Sequence, residues 1–490
     1  MNHPGISSES FLNSYQAALD TRRAALFIGA GTSMASGYAS WVRLLGPLVR
    51  DLGLDAAQEP DLVALAQYVE NQQCGRGQVN QHLVTEFSRD VRRTAVHKLI
   101  AQLPIDTIWT TNYDHLIEDA LIAEGRRVDR KITEQNLAVT KPDCDVTLYK
   151  MHGDVQHPDD TVLLKQDYET YRQKRPGFAA HLHAALTSRT FLFLGFSFTD
   201  PNIDYFLAQL HGALGANRPP HFWITARPRA PAPGAGATEL RRHEYETRKQ
   251  LIRIDDLKRY GIQTLLIDDY QELPELLREL LFRARRHNIF VAGSAADHAP
   301  LGRAAVEELA RQLGRGLVRR RYHLLSALGL GIGAATLVGA LEQLALDSQR
   351  DLSRYLTLRP FQGLTPSGVS KDELERKVRT ELLSKAGFAV FLCGNKRDSA
   401  GNLALSEGVL EEFAIARAQR VYPIPIGSSG HAAQEIWQLV DADFATIFAD
   451  RDQATLRPLF QILNGSTSLE ELCGAVFQII HTIAPGSASA

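Results

Sequence analysis

The stretch Ala25-Leu-Phe-Ile-Gly-Ala-Gly-Thr-Ser-Met34 constrains this chain most, because an apolar run breaks there into a glycine turn. Leu26, Phe27 and Ile28 read as a short buried strand. Gly29 and Gly31 let the backbone turn tightly and approach a ligand with no Cβ in the way. A helix is expected from Thr32 or Ser33, its unpaired N–H groups facing whatever sits on the glycines, which suits a pyrophosphate. Strand, GxG and helix alone fit a plain tight turn equally well.

The remaining strands tip that balance. Thr107-Ile-Trp-Thr-Thr111 runs into Asn112-Tyr113-Asp114 and a helix with Leu116, Ile117, Ala120 and Leu121 inward. Val146–Met151 ends in His152-Gly153-Asp154, Thr190–Leu194 ends in Gly195-Phe-Ser-Phe-Thr-Asp-Pro-Asn-Ile203, and His221–Thr225 and Gln263–Ile267 follow. Apolar strands ending in small or polar residues and separated by helical segments predict a doubly wound α/β fold, with its functional groups gathered on one sheet edge. Helical patterns at 8–20, 42–52 and 56–103 carry no catalytic signature. The Pro/Gly/Ala stretch 226–238 reads as an exposed loop, followed by a helix over about 239–260.

At 490 residues two or three domains are expected. The first is predicted to span 1–283. A second α/β domain, 284–490, opens on Asn288-Ile-Phe-Val-Ala-Gly-Ser294, again placing glycine and serine after a strand. Its later strands, 386–393 and 421–426, run into Gly394-Asn395-Lys396 and Gly427-Ser-Ser-Gly430, with a helix over 405–419 between them.

A net charge of −2 points to neither nucleic acid nor an anionic membrane. Cys74, Cys144, Cys393 and Cys473 are far apart and form no CxxC pair, which argues against a zinc knuckle or a disulfide framework. Reduced thiols and an N-terminus without basic and apolar regions lead us to expect a cytoplasmic protein. The uncharged run Leu324–Leu341 touches the length of a membrane span. Its crowded glycines are better explained by a buried strand, a turn and a helix start.

Gly29-Ala-Gly-Thr-Ser33, Thr111-Asn-Tyr-Asp114, His152-Gly153 and Gly195-Phe-Ser197 occur in the order of a sirtuin NAD-binding core, and the resemblance covers roughly residues 10–280. It departs from protein deacylases: the paired-cysteine zinc module is missing, and Thr111 stands where deacylases usually carry glutamine. The forms His152-Gly-Asp154 and Gly195–Pro201 are similar to prokaryotic sirtuin-like NAD hydrolases of antiviral defence. In the second half, Ile289–Ser294, Leu328-Gly-Leu-Gly-Ile-Gly333, Gly394-Asn-Lys396 and Ser406-Glu-Gly408 resemble a SLOG domain, a Rossmann-like sensor of nucleotide-derived signals. A sirtuin-like Rossmann domain without a zinc module, followed by a SLOG domain, is similar to the effector family of the Thoeris antiphage systems.

The resemblance implies NAD+ as substrate and no metal. It also implies activation by a cyclic ADP-ribose isomer, made by a partner TIR-domain protein, and a homotetramer. Asn112 would hold a ribose hydroxyl or orient water, though an Asx turn or helix cap also suits it. His152 would act as general base. Gly29, Ala30, Gly31, Thr32 and Ser33 would cradle the pyrophosphate, with Gly195 and Ser197 on the adenosine side. Asp114 would bind nicotinamide or ribose, or cap the next helix; Asp200 and Asn202 could equally be turn residues. Gly293, Ser294, Gly331, Arg379, Lys396 and Glu411 are the candidates for the signal site. Two other functions stay open: a non-catalytic NAD-binding scaffold, and a LOG-type phosphoribohydrolase in the second domain, whose Ser406-Glu-Gly-Val-Leu-Glu-Glu412 only partly keeps that family's pattern. Protein deacylation ranks last.

Overall fold

The computed structural model describes residues 5–59, 61–73, 75–198, 200–214, 218–348, 351–360 and 370–485. Cys74, Thr199 of the Gly195–Pro201 motif and the N-terminal residues 1–4 lie outside them. The chain divides into two compact units, Met1–Ala284 and Arg285–Ala490.

The first unit is built on seven strands: β1 (Ala24–Ile28), β2 (Thr107–Thr110), β3 (Val128–Lys131), β4 (Val146–Lys150), β5 (Thr190–Leu194), β6 (His221–Ala226) and β7 (Ile262–Ile267). They form one sheet in the order β3-β4-β2-β1-β5-β6-β7, with every pairing parallel. Strands covered by helices on both faces must be apolar throughout, and all five residues of β1 and of β5 are buried. Alternation then sorts them into two cores. Leu26 and Ile28 join Leu192 and Leu194 on one face, whereas Ala25 and Phe27 join Phe191, Phe193 and Trp109 on the other.

A third core lies off the sheet. Helices Trp41–Arg50, Leu62–Gln73 and Gly77–Phe87 pack Leu45, Val49, Leu65, Val69 and Leu83 with Tyr113, Val155, Leu163 and Leu164. The helical stretch without a catalytic signature is thus the layer laid against the loops that follow β2 and β4.

The second unit carries β8 (Asn288–Ser294), β9 (His323–Ser326), β10 (Leu356–Leu358), β11 (Phe388–Cys393) and β14 (Tyr422–Pro425) in a parallel sheet ordered β10-β9-β8-β11-β14. The chain moves outward through β9 and β10, then crosses back to β11 on the other side of β8. Ligands of open α/β sheets bind at such a switch point, here the carboxyl ends of β8 and β11. A separate hairpin pairs β12 (Asn395–Arg397) with β13 (Leu403–Leu405).

Several expectations need correction. The helix after β1 starts at Ala30, two residues ahead of Thr32. Strands β3 and β10 and the β12–β13 hairpin were not expected, because none carries an apolar run longer than three residues. In β3, Asp129 and Lys131 are buried but neutralise each other at 2.9 Å. As expected, the run Leu324–Leu341 divides into β9, a glycine turn and the helix Ile332–Leu346. No helix among the described residues is long and apolar enough to cross a membrane.

Candidate active site

Parallel pairing places the ends of β1, β2, β4 and β5 side by side, so the four motifs converge. Thr110 is in register with Lys150, which leaves Asn112 and His152 each two residues past the last paired position. Asn112 Nδ2 donates to Ser33 Oγ at 2.9 Å and to the Gly29 carbonyl at 3.1 Å, and the Ser33 hydroxyl donates to Asp114 Oδ2 at 2.6 Å. The other Asp114 oxygen accepts from Leu116 N at 3.0 Å. Asp114 therefore caps its helix and joins the Asn112 network at once. Asn112 Oδ1 is buried and has no hydrogen-bond partner among the described residues. A buried carbonyl oxygen in that state is an acceptor awaiting a donor.

The glycine turn departs from its expected role. Gly29 N–H donates to Leu194 O and Gly31 N–H to Gly195 O, both at 2.9 Å, so neither amide is left for a phosphate. A Cβ on Gly29 would lie 2.5 Å from Gly195 O, and one on Gly31 2.8 Å from Gly195 Cα. Gly195 has φ +62°, and its own Cβ would meet Thr32 N at 2.7 Å. The two glycine motifs are each other's packing partners, and close backbone approach is what their missing side chains permit. Thr32 and Ser33 are buried beside Asn112, Ala30 is half-buried, and Ser197 is exposed with its carbonyl accepting from Arg253 at 2.8 Å.

His152 is 2% exposed and packs edge-on against Tyr168. Its Nε2 lies 3.2 Å from Asp200 Oδ2 but is misaligned for a hydrogen bond. Burial outweighs the Asp200 charge and lowers the imidazole pKa, so the ring is neutral near pH 7 and able to take a proton. Asp200 also receives Asn202 N–H at 2.9 Å, which makes it a turn residue and a neighbour of the site together.

Beneath these loops lies a charged cluster that sequence reasoning missed. Lys150 Nζ is 2.8 Å from Glu118 Oε1 and 2.6 Å from Asp154 Oδ2, and it donates to the Asp114 carbonyl at 2.6 Å. His115 Nε2 adds a 2.9 Å contact to Asp154, which raises the His115 pKa. His115, Glu118 and Asp154 bring three metal-ligand atoms together, but the Lys150 ammonium already meets their two carboxylates. A signal was available: Val146, Leu148 and Lys150 share one face of β4 by alternation, so the lysine had to point inward with the core.

In the second unit, Gly293 and Ser294 end β8, and Gly331, at φ +75°, opens the helix Ile332–Leu346 beside Ala295. Asn395 ties the edge together, accepting from Ala296 N and Asp297 N, both at 2.8 Å. Arg379, expected to receive the signal, is engaged by carboxylates: Glu411 at 2.8 Å and Glu375 at 2.9 Å. Lys396 faces Glu407 at 3.1 Å. Two expected ligand groups, Arg379 and Glu411, thus hold one another as opposite charges on facing helices. Burial pushes the neighbouring Glu412 up to about 8 despite Arg379.

Comparison with known proteins matches residues 272–483 to the Sir2- and TIR-associating SLOG family and residues 106–254 to the SIR2-like domain. The chain is 38% identical over 477 residues to the NAD(+) hydrolase ThsA of Bacillus cereus strain MSX-D12, covering 97% of this chain and 98% of that one. It is 36% identical to the NAD(+) hydrolase ThsA of Acinetobacter baumannii strain 532279, over 91% of this chain and 92% of the relative. The corresponding protein of Cytobacillus dafuensis is 33% identical, over 98% and 97%.

Proposed function

The chain belongs to the ThsA family, and from that premise we propose that it hydrolyses NAD+ at the nicotinamide–ribose bond when a cyclic ADP-ribose isomer occupies its second unit. Breaking that bond leaves positive charge on the ribose anomeric carbon, as in glycoside hydrolysis, and water completes the reaction to give ADP-ribose, nicotinamide and a proton. Asn112 holds a ribose hydroxyl or the attacking water, with its free carbonyl oxygen as acceptor. His152, kept neutral by burial, takes the proton. Thr32, Ser33 and Asp114 fix the Asn112 amide, and Ala30, Gly195 and Ser197 line the approach of the dinucleotide. Gly293, Ser294, Gly331, Arg379, Lys396 and Glu411 receive the signal.

The observation that carries this reading is Asn112 Oδ1, a buried acceptor without a partner among the described residues, at the edge where β2 and β4 end beside a neutral His152. Asn112 is 7% exposed and His152 2%, which supports control of access rather than constant turnover. A ligand on the second unit alters turnover only if it binds one state of the protein better than another. We place the active form as a cytoplasmic homotetramer supplied with its signal by a TIR-domain enzyme.

The test is to incubate the full chain with NAD+ and each cyclic ADP-ribose isomer in turn and to follow free nicotinamide. Release is expected with one isomer and not without it. Asn112→Ala and His152→Ala should each lower turnover by about 10²-fold or more. No nicotinamide at any signal concentration would end the proposal.

A further inference from the structure

Lys150 is the last residue of β4, and its side chain is 0% exposed. Burying an ammonium costs several kcal/mol unless its partners are well placed, and an apolar side chain of similar volume is often as stable. What a lysine adds here is direction. Its Nζ reaches the Asp114 carbonyl at 2.6 Å and the Tyr113 carbonyl at 3.3 Å, both in the loop that follows β2. It also reaches Glu118 on the helix Leu116–Ala123, and Asp154 in the loop that follows β4. Asp154 is held from its other side by His115 at 2.9 Å and Gln156 N–H at 2.8 Å. One ammonium therefore joins two loops where the backbone has already left the sheet. Asn112 lies two residues before one contact, and His152 lies between Lys150 and Asp154.

We propose that Lys150 is a positioning residue that clamps the 112–115 loop to the 152–154 loop and so sets the spacing of Asn112 and His152. This rests on the NAD+-cleaving role given to those two side chains. Lys150 itself touches neither substrate nor the reacting atoms. Misplacing catalytic groups by about 1 Å costs roughly 10²-fold in rate. Loss of the clamp therefore lowers kcat while leaving the KM for NAD+ nearly unchanged.

Lys150→Met alone strands Glu118 and Asp154 without their cation and lowers the folded fraction, so the decisive variant is Lys150→Met with Glu118→Leu, which removes the ammonium and one carboxylate and leaves Asp154 to His115 and the Gln156 N–H. In the full chain this variant should be folded, should exchange amide hydrogens faster over 110–118 and 150–156, and should lose about 10²-fold in kcat. Wild-type kcat in the folded variant, or unchanged exchange in both segments, overturns the proposal. Asn112→Ala and His152→Ala are assayed alongside. Full turnover in those two variants would defeat the assignment of the site, whereas the exchange measurement tests the clamp regardless.

Discussion

At Gly195 the backbone sits at φ +62°, with no room for a Cβ against Thr32 N. Gly195→Ala should therefore cost about 1–3 kcal/mol and separate the two glycine turns, read as a lower thermal midpoint together with lost turnover. His152 makes a different prediction. Because burial lowers its pKa, the imidazole stays unprotonated to a lower pH than an ordinary histidine. The acid limb of the kcat/KM profile should lie below the ordinary histidine value, and an acid limb at or above pH 6.5 would argue against His152 as the base. Both residues were legible in the sequence as strand-terminal motifs. Their environments were not, since the Cβ clash comes from Thr32 and the imidazole is enclosed by Tyr168, Tyr171 and Asp200, none of which belongs to the motif itself.

Alternation within β1 and β5 was readable residue by residue and assigns each side chain to its core. The same alternation placed Lys150 inward, but its partners Glu118 and Asp154 sit on a neighbouring helix and loop, which no local period joins. Helix crossing is a second case. A Cβ on Gly339 would come 1.9 Å from Arg311 O, and one on Gly314 1.9 Å from Thr336 O, so the helices Arg303–Arg319 and Ile332–Leu346 touch through glycine on both sides. Sequence reading gave Gly339 to a turn or helix start; it serves helix packing instead. Gly339→Val should force the helices apart and destabilise the second unit by about 1–3 kcal/mol or more, measured by chemical denaturation.

Across the whole molecule, His97, His152, His221 and His323 all have pKa values lowered by burial, His221 to about 3. At these four positions the unfolded chain binds protons near pH 6.5 that the folded chain refuses, so their contribution to stability is full above that pH and falls below it. For His221 the loss approaches ~1.4 kcal/mol per pH unit until pH nears about 3. His221 Nδ1 accepts from Phe191 N–H at 3.2 Å, and His221→Asn keeps an acceptor there without the titration. Denaturant melts between pH 7 and 5 should show a shallower decline in that variant; an equal slope would contradict the assignment.

The order of apolar strands and glycine turns by itself determined the two α/β units and the residues at the ends of β1, β2, β4 and β5, while the family followed from the resemblance those motifs carry. Local patterns suffice for that, because strand alternation and backbone freedom are properties of neighbouring residues. Only the tertiary structure decided what those residues touch. It showed Gly29 and Gly31 bonded to the end of β5, Arg379 held by Glu411, and a buried lysine joining the Asn112 and His152 loops. Hydrogen bonds and ion pairs depend on distances between segments remote in sequence, which the fold alone brings together.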